Sequence, residues 1–193
     1  MGIEFELKFS ASPEQQADIA SAFPLEYHTV EMETTYFDTA DHRLSDRHIT
    51  LRHRKENGVS VCTVKTPASG YGRGEWECEC DEIQQAVPKL CGLGAPRELL
   101  LLTVEGVEPV CGAKFTRRCG LLTYKGAQLE LALDRGILSG GGKQAALCEV
   151  EVELKEGQPD AAMEFAEKLA ERFELKPQHK SKFRRALALA RGE

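Results

Sequence analysis

With 193 residues, 41% hydrophobic and 29% charged, the chain is long enough for one substantial core and has the composition of a soluble globular protein. Its formal net charge of −6 excludes non-specific nucleic-acid binding as the main task, because such binding rests on a positive surface. No apolar run reaches the roughly 18 residues of a membrane span and no leader pattern precedes Glu4, so a cytoplasmic protein without membrane or nucleic-acid partners is expected.

The elements follow in order. Ile3, Phe5, Leu7 and Phe9 alternate with Glu4, Glu6 and Lys8, as in a strand whose side chains point to opposite faces with period two. Ser12-Pro13-Glu14-Gln15 opens a helix, with Ser12 as cap and Gln15 three residues on, and Pro24 stops it after about Phe23. Residues 30–38 read as a strand, Thr39-Ala40-Asp41 as a turn, and a short helical piece precedes His48. Strands over 50–55 and 59–66 flank a hairpin turn at Glu56-Asn57-Gly58. A loop over 67–74, a strand over 75–80 and helices near 83–90 and 98–102 come next. The stretch 114–124, with Gly120 as a candidate bulge, turns at Lys125-Gly126 into 127–135. Ser139-Gly140-Gly141-Gly142-Lys143 lacks the spacing of a phosphate-binding loop and is expected to be a flexible surface connector into 145–155. Helices over about 159–173 and 181–190 end a chain with no dividing linker, so 1–193 is expected to form one domain.

The 7 cysteines (Cys62, Cys78, Cys80, Cys91, Cys111, Cys119 and Cys148) are odd in number and include no Cys-x-x-Cys pair, which favours free thiols in a reducing compartment. His42, His48, His53 and His179 show no metal-ligand spacing. Trp76 carries the phase of an apolar face packed against a helix, and Arg184-Arg185 that of a solvated helix face.

Charge patterning is more telling. Glu149, Glu151, Glu153 and Lys155 oppose Cys148, Val150, Val152 and Leu154, repeating the alternation of Glu4, Glu6 and Lys8. Like charges side by side repel, and folding alone does not call for them; a bound cation would. Arg52 with Arg54, Thr63 with Lys65, Glu75 with Glu77 and Glu79, and Glu130 with Asp134 share faces in the same way, and Arg117 faces opposite to Arg118. One wet face of an antiparallel sheet explains any single strand. Charges almost to the exclusion of other polar residues, over so many strands, point instead to an α+β fold. In it an antiparallel sheet closes into a barrel with a charged lumen, and the helices pack on the outside. Carboxylates beside arginines and lysines suit a polyanion bound with a hard divalent ion, the former by forked and point-charge contacts, the latter through oxygen ligands.

Glu4-x-Glu6-x-Lys8, Thr35-Tyr36-Phe37-Asp38-Thr39, Leu51-Arg52-His53-Arg54, Thr63-Val64-Lys65, Arg117, Leu131-Ala132-Leu133-Asp134, Glu149-Val150-Glu151 and Ser181-Lys182 stand in one order along the chain. In this it resembles the triphosphate tunnel metalloenzymes, or CYTH domains, over essentially its whole length. The resemblance implies an antiparallel tunnel of eight strands that acts on triphosphate compounds with divalent metal. Bacterial inorganic triphosphatases carry this domain fused to a helical partner, for which this chain is expected to be too short. Glu4, Glu6, Glu149 and Glu151 would hold metal, with Asp134 close to the metal or its waters, and these same carboxylates would supply the base. Lys8, Arg52, Arg54, Lys65, Arg117 and Lys182 would grip the phosphates. Glu75, Glu77, Glu130 and Glu153 would support them in the lumen, and ion pairing within a charged tunnel is the plain alternative for each. Two Mg²⁺ or Mn²⁺ ions per site are expected.

The function so implied is metal-dependent hydrolysis of a triphosphate, first of all inorganic triphosphate to pyrophosphate and phosphate, in a monomer or homodimer. Thiamine triphosphatase, nucleoside triphosphatase and class IV-type adenylyl cyclase are alternatives on the same fold. A non-catalytic polyphosphate or nucleotide sensor is the rival of another class; it would not need both acidic strands.

Overall fold

The computed structural model describes residues 2–67 and 72–193, so the middle of the loop expected over 67–74 lies outside the described residues. The first strand is interrupted at Phe5 into β1 (Gly2–Glu4) and β2 (Glu6–Ser10). Helix α1 (Pro13–Ala22) starts on the anticipated cap: the Ser12 hydroxyl accepts from the Gln15 N–H at 3.2 Å, and the Gln15 side chain accepts from the Ser12 N–H at 2.7 Å. β3 (His28–Asp38) leads to α2 (Arg43–Asp46), whose start is held by Asp38: the fully buried carboxylate accepts from the N–H groups of Thr39, Leu44 and Ser45 at 2.8–3.2 Å. β4 (Thr50–Glu56) and β5 (Val59–Pro67) are joined by Asn57 and Gly58, both at positive φ (48° and 88°), the backbone of a tight two-residue hairpin turn. Then come β6 (Arg73–Glu79), α3 (Ile83–Gly92), α4 (Glu98–Leu102), β7 (Glu108–Tyr124), β8 (Ala127–Gly140), β9 (Lys143–Glu156), α5 (Pro159–Arg172), β10 (Lys176–Pro177) and α6 (Lys182–Arg191).

Four expectations change. The sheet runs β1-β6-β5-β4-β3-β7-β8-β9-β2-β10, antiparallel at every pairing, as an open order of 10 segments rather than a closed ladder of eight strands. One end of that order, β1, is nevertheless continuous in the chain with β2, the segment next to the other end. Glu4 pairs with Arg73 on one side and Glu6 with Glu153 on the other, and only Phe5 separates them. Its carbonyl accepts from Leu154 N–H at 2.9 Å. Pairing therefore changes partner at Phe5. The glycine-rich connector is in fact a hairpin turn, since Gly140 pairs with Lys143 and the strands run five and two residues further into it than predicted. Gly120 is no bulge; it pairs in register with Leu131, and an added Cβ would meet the Leu25 Cβ at 3.0 Å. Its missing side chain serves the close approach of the segment before β3.

Apolar packing occupies three clusters. Phe9, Leu129, Leu131, Val150 and Val152 pack under α1 and α5 through Ile19, Phe165 and Leu169. Leu51, Cys62 and Val64 pack under α2, α3 and α4 through Leu44, Leu90 and Leu99, with Trp76 joining as its phase predicts. The third cluster corrects the picture of helices confined to the outside. Met32, Tyr36, Phe115, Leu138 and Leu147 surround Phe183, Ala186 and Leu187 of α6. Cross-strand partners share a face, and Tyr36 pairs with Arg52, Thr34 with Arg54, and Glu149 with Asp134. Met32, Tyr36, Leu138 and Leu147 follow those charged residues in steps of two, so α6 packs on the charged face itself. That face is charged along one part and apolar along the other, and the apolar part needs a helix to cover it.

Candidate functional site

A cavity of about 720 Å³ lies over the charged part of this face, lined by Glu4, Glu6, Lys8, Arg52, Arg54, Lys65, Glu75, Glu77, Arg117, Glu130, Glu151, Glu153 and Lys182. Of the residues singled out from sequence, Asp134 and Glu149 alone stand back from its lining. Both are completely buried beneath it.

Those two and Glu151 bring carboxylate oxygens within 4.8 Å of one another, each from a strand position facing the others. Repulsion on that scale needs cations. Lys182 Nζ lies 2.8 Å from Asp134 Oδ2, 2.6 Å from Glu149 Oε2 and 2.6 Å from Glu151 Oε1. Ser181 caps the helix that delivers it, accepting from Arg184 N–H at 3.2 Å. Arg117 forks onto Asp134, Nε to Oδ1 at 2.8 Å and Nη2 to Oδ2 at 2.7 Å, and also donates to Glu151. Burial pushes the Glu151 carboxyl up, but Lys182 and Arg117 outweigh it and hold it well below the usual range. Burial pulls Lys182 and Arg117 down, and the carboxylates reverse that and hold both above their ordinary values. Glu149 ends the other way: burial dominates and raises it despite Lys182.

Glu4 and Glu6 do not join this cluster. Glu6 accepts from Lys8 Nζ at 2.6 Å, and Glu4 accepts from Lys65 Nζ, which is 3.3 Å from Glu75. Arg52 is 3.5 Å from the same Glu75 oxygen. Arg54 is different in kind. Burial, with Arg52 and Arg117 nearby, lowers it to about 10; its Nε donates to Thr34 Oγ1 at 2.9 Å, and the carboxylate it meets, on Glu56, is 3.5 Å away. Three buried side-chain atoms of cavity-lining residues have no hydrogen-bond partner among the described residues: Glu4 Oε2, an acceptor, and Arg52 Nε and Trp76 Nε1, both donors. Such groups cost free energy unless something fills them.

Sequence reasoning gave no site role to three basic residues, although it placed Lys155 on the charged face. Arg73 lines the cavity and is in phase with Glu75 and Glu77, a signal lost because the strand was started two residues late. Lys155 lines it too, 2.8 Å from Glu153 and 3.7 Å from Glu130. Arg185, read as solvated, donates to the buried Glu149; three residues after Lys182, it shares that residue's helical face.

The sequence matches the CYTH domain over residues 2–187. It is 28% identical over 174 residues to the inorganic triphosphatase of Haemophilus influenzae, covering 86% of this chain and 49% of that protein, so the chain spans about half the length of this relative. Among solved structures it is similar to HpAC1 from Hippeastrum, described as revealing a dominant triphosphatase activity (TM-score 0.67, 22% identity, covering 100% of this chain and 97% of that one). It is also similar to PH1819 from Pyrococcus horikoshii (TM-score 0.63, 24% identity, 95% and 98% covered). An antiparallel sheet presenting paired acids and bases on one face, with a sequence match across nearly its full length, makes this chain a member of the CYTH domain family.

Proposed function

We propose that the chain is a triphosphatase that cleaves a phosphoanhydride bond of a triphosphate with a divalent cation, Mg²⁺ or Mn²⁺, and that inorganic triphosphate is its first substrate. The observation that carries this is the complementary pair of unfilled groups at one cavity: a buried carboxylate oxygen on Glu4 and a buried guanidinium N–H on Arg52. One fits a cation and the other an anion, as a metal-bound polyphosphate would supply. The names of the Haemophilus and Hippeastrum relatives support the same activity.

The donor set fits a hard divalent ion, which prefers carboxylate oxygens and completes its shell with phosphate. Glu4, Glu6 and Glu151, with Asp134 and Glu149 behind, would hold it, and bound there it would neutralise phosphate charge and lower the pKa of a coordinated water. The chain's own part is positioning. Arg52 and Arg54 take phosphate oxygens by forked contacts, and Lys8, Lys65, Arg117 and Lys182 add charge around the chain of phosphates. Arg54 is poised for this, since burial and then the neighbouring cations raise the cost of its charge until an anion arrives. Glu75, Glu77, Glu130 and Glu153 orient the basic residues. Closure of this open sheet around the substrate belongs to this reading, with Phe5 linking β1 to β2.

Phosphate release from inorganic, thiamine and adenosine triphosphates, each with Mg²⁺ and Mn²⁺, is the test. Release from inorganic triphosphate above the others is expected. Tight binding of triphosphate with no release under any divalent ion would replace this reading by that of a polyphosphate sensor.

A further inference from the structure

The end of the cavity away from α6 carries a second cluster of a different chemistry. His28 opens β3 and is exposed; its direct partner across the ladder is Cys119 of β7, which is buried. Glu130 of β8 lies two positions from Ala132, the partner of Cys119, and therefore on the same face. All three line the cavity. Cys119 Sγ and His28 Nε2 are 3.1 Å apart, and one donor atom from each of the three residues lies within 4.8 Å of the others.

We propose that His28, Cys119 and Glu130 form a binding site for a borderline-soft divalent metal of the zinc class, separate from the carboxylate cluster at Lys182, whose occupation blocks the cavity mouth. A nitrogen, a sulfur and an oxygen are the donors such an ion selects, and a thiolate disfavours Mg²⁺. Three protein ligands leave a fourth position, which a water or a phosphate oxygen can take. The separations suit this: ligands at about 2.0–2.3 Å from a tetrahedral ion lie under 4 Å from one another, so small side-chain rotations close the gap. Binding replaces the thiol S–H bond with a metal–sulfur bond and releases one proton to solvent. The competitors are present too. Lys155 Nζ, 3.7 Å from Glu130, must yield that carboxylate, and the Cys119–His28 contact, a hydrogen bond in the metal-free chain, must be exchanged.

The blocking effect rests on the triphosphatase reading; the binding does not. Cobalt(II) titrated into the purified full-length chain, without triphosphate, should give a thiolate-to-cobalt charge-transfer band that saturates at one equivalent and is displaced by zinc. Cys119→Ser should abolish the band and His28→Ala should weaken binding at least tenfold, while Cys148→Ser leaves both unchanged. A band that survives Cys119→Ser, or no stoichiometric binding, overturns the site. Zinc inhibition of phosphate release in the presence of excess Mg²⁺ should likewise be relieved in His28→Ala. Inhibition unchanged in that variant overturns the blocking role even where the band is present.

Discussion

Arg117 and Asp134 are direct partners across the β7–β8 ladder and meet through two parallel hydrogen bonds of 2.8 and 2.7 Å, with Asp134 entirely out of water. The pair sits under the cavity, where it fixes the guanidinium that also reaches Glu151. Removing one partner of a buried pair strands the other. Asp134→Leu is therefore expected to cost about 3–5 kcal/mol, measured as a shift in the denaturant midpoint. A shift below about 1 kcal/mol would mean that Lys182 and Glu151 absorb the loss.

Stability should hold between the acid and alkaline ends set by this cluster. Glu151, held well below its ordinary 4.5, stabilises the fold above that value and loses its contribution as pH falls towards the folded pKa. Lys182, held above 10.5, stabilises fully below that value and loses its contribution as pH rises further. Glu149, raised by burial, works against Glu151 and blunts the acid limb. Unfolding free energies from pH 3 to 7 should fall less steeply on acidification in Glu151→Gln than in the parent; equal slopes would refute the assignment.

At the cavity, Glu6→Gln should abolish phosphate release with the thermal midpoint unchanged within about 2 °C, because Glu6 is half-buried and its ion pair is with the neighbouring Lys8 of the same strand. Turnover at the parent rate would remove Glu6 from the proposed metal site. Arg54→Ala should raise the Michaelis constant for triphosphate about 10–100-fold, the worth of one charged hydrogen bond. A change confined to kcat would contradict its phosphate role.

Gly140 admits α6 to the sheet: a Cβ there would meet Ala190 N at 2.8 Å and the Ala186 carbonyl. Gly140→Val should cost about 1–3 kcal/mol by overpacking and speed amide exchange across 182–191. Unchanged exchange would show that the helix tolerates displacement.

Local signals were easy to read. The Ser12–Gln15 capping box, the Asn57-Gly58 turn and the alternation of Arg52 with Leu51 are all encoded within a few residues. So was the membership of one face, since period two carries across partners, and 13 of the predicted site residues line the cavity on that account. What stayed hidden depends on distant chain. Nothing near Lys182 says that its helix packs onto the charged face, because its apolar stripe of Phe183, Ala186 and Leu187 fits either side of a sheet. Arg73 and Arg185 were lost for related reasons, one to a misplaced strand end and the other to the assumption that a basic helix face meets water. His28 lies at a strand start, where a sequence gives no hint of a thiol across the ladder.

The partner switch at Phe5 has a bearing on how the molecule is made. Glu4 pairs with a strand some seventy positions along and Glu6 with one nearly a hundred and fifty along, so Glu6 cannot dock until β9 has been synthesised. The two acids of the amino-terminal segment therefore reach the cavity by contacts of very different chain separation, and the pair is complete only once the late strand is in place.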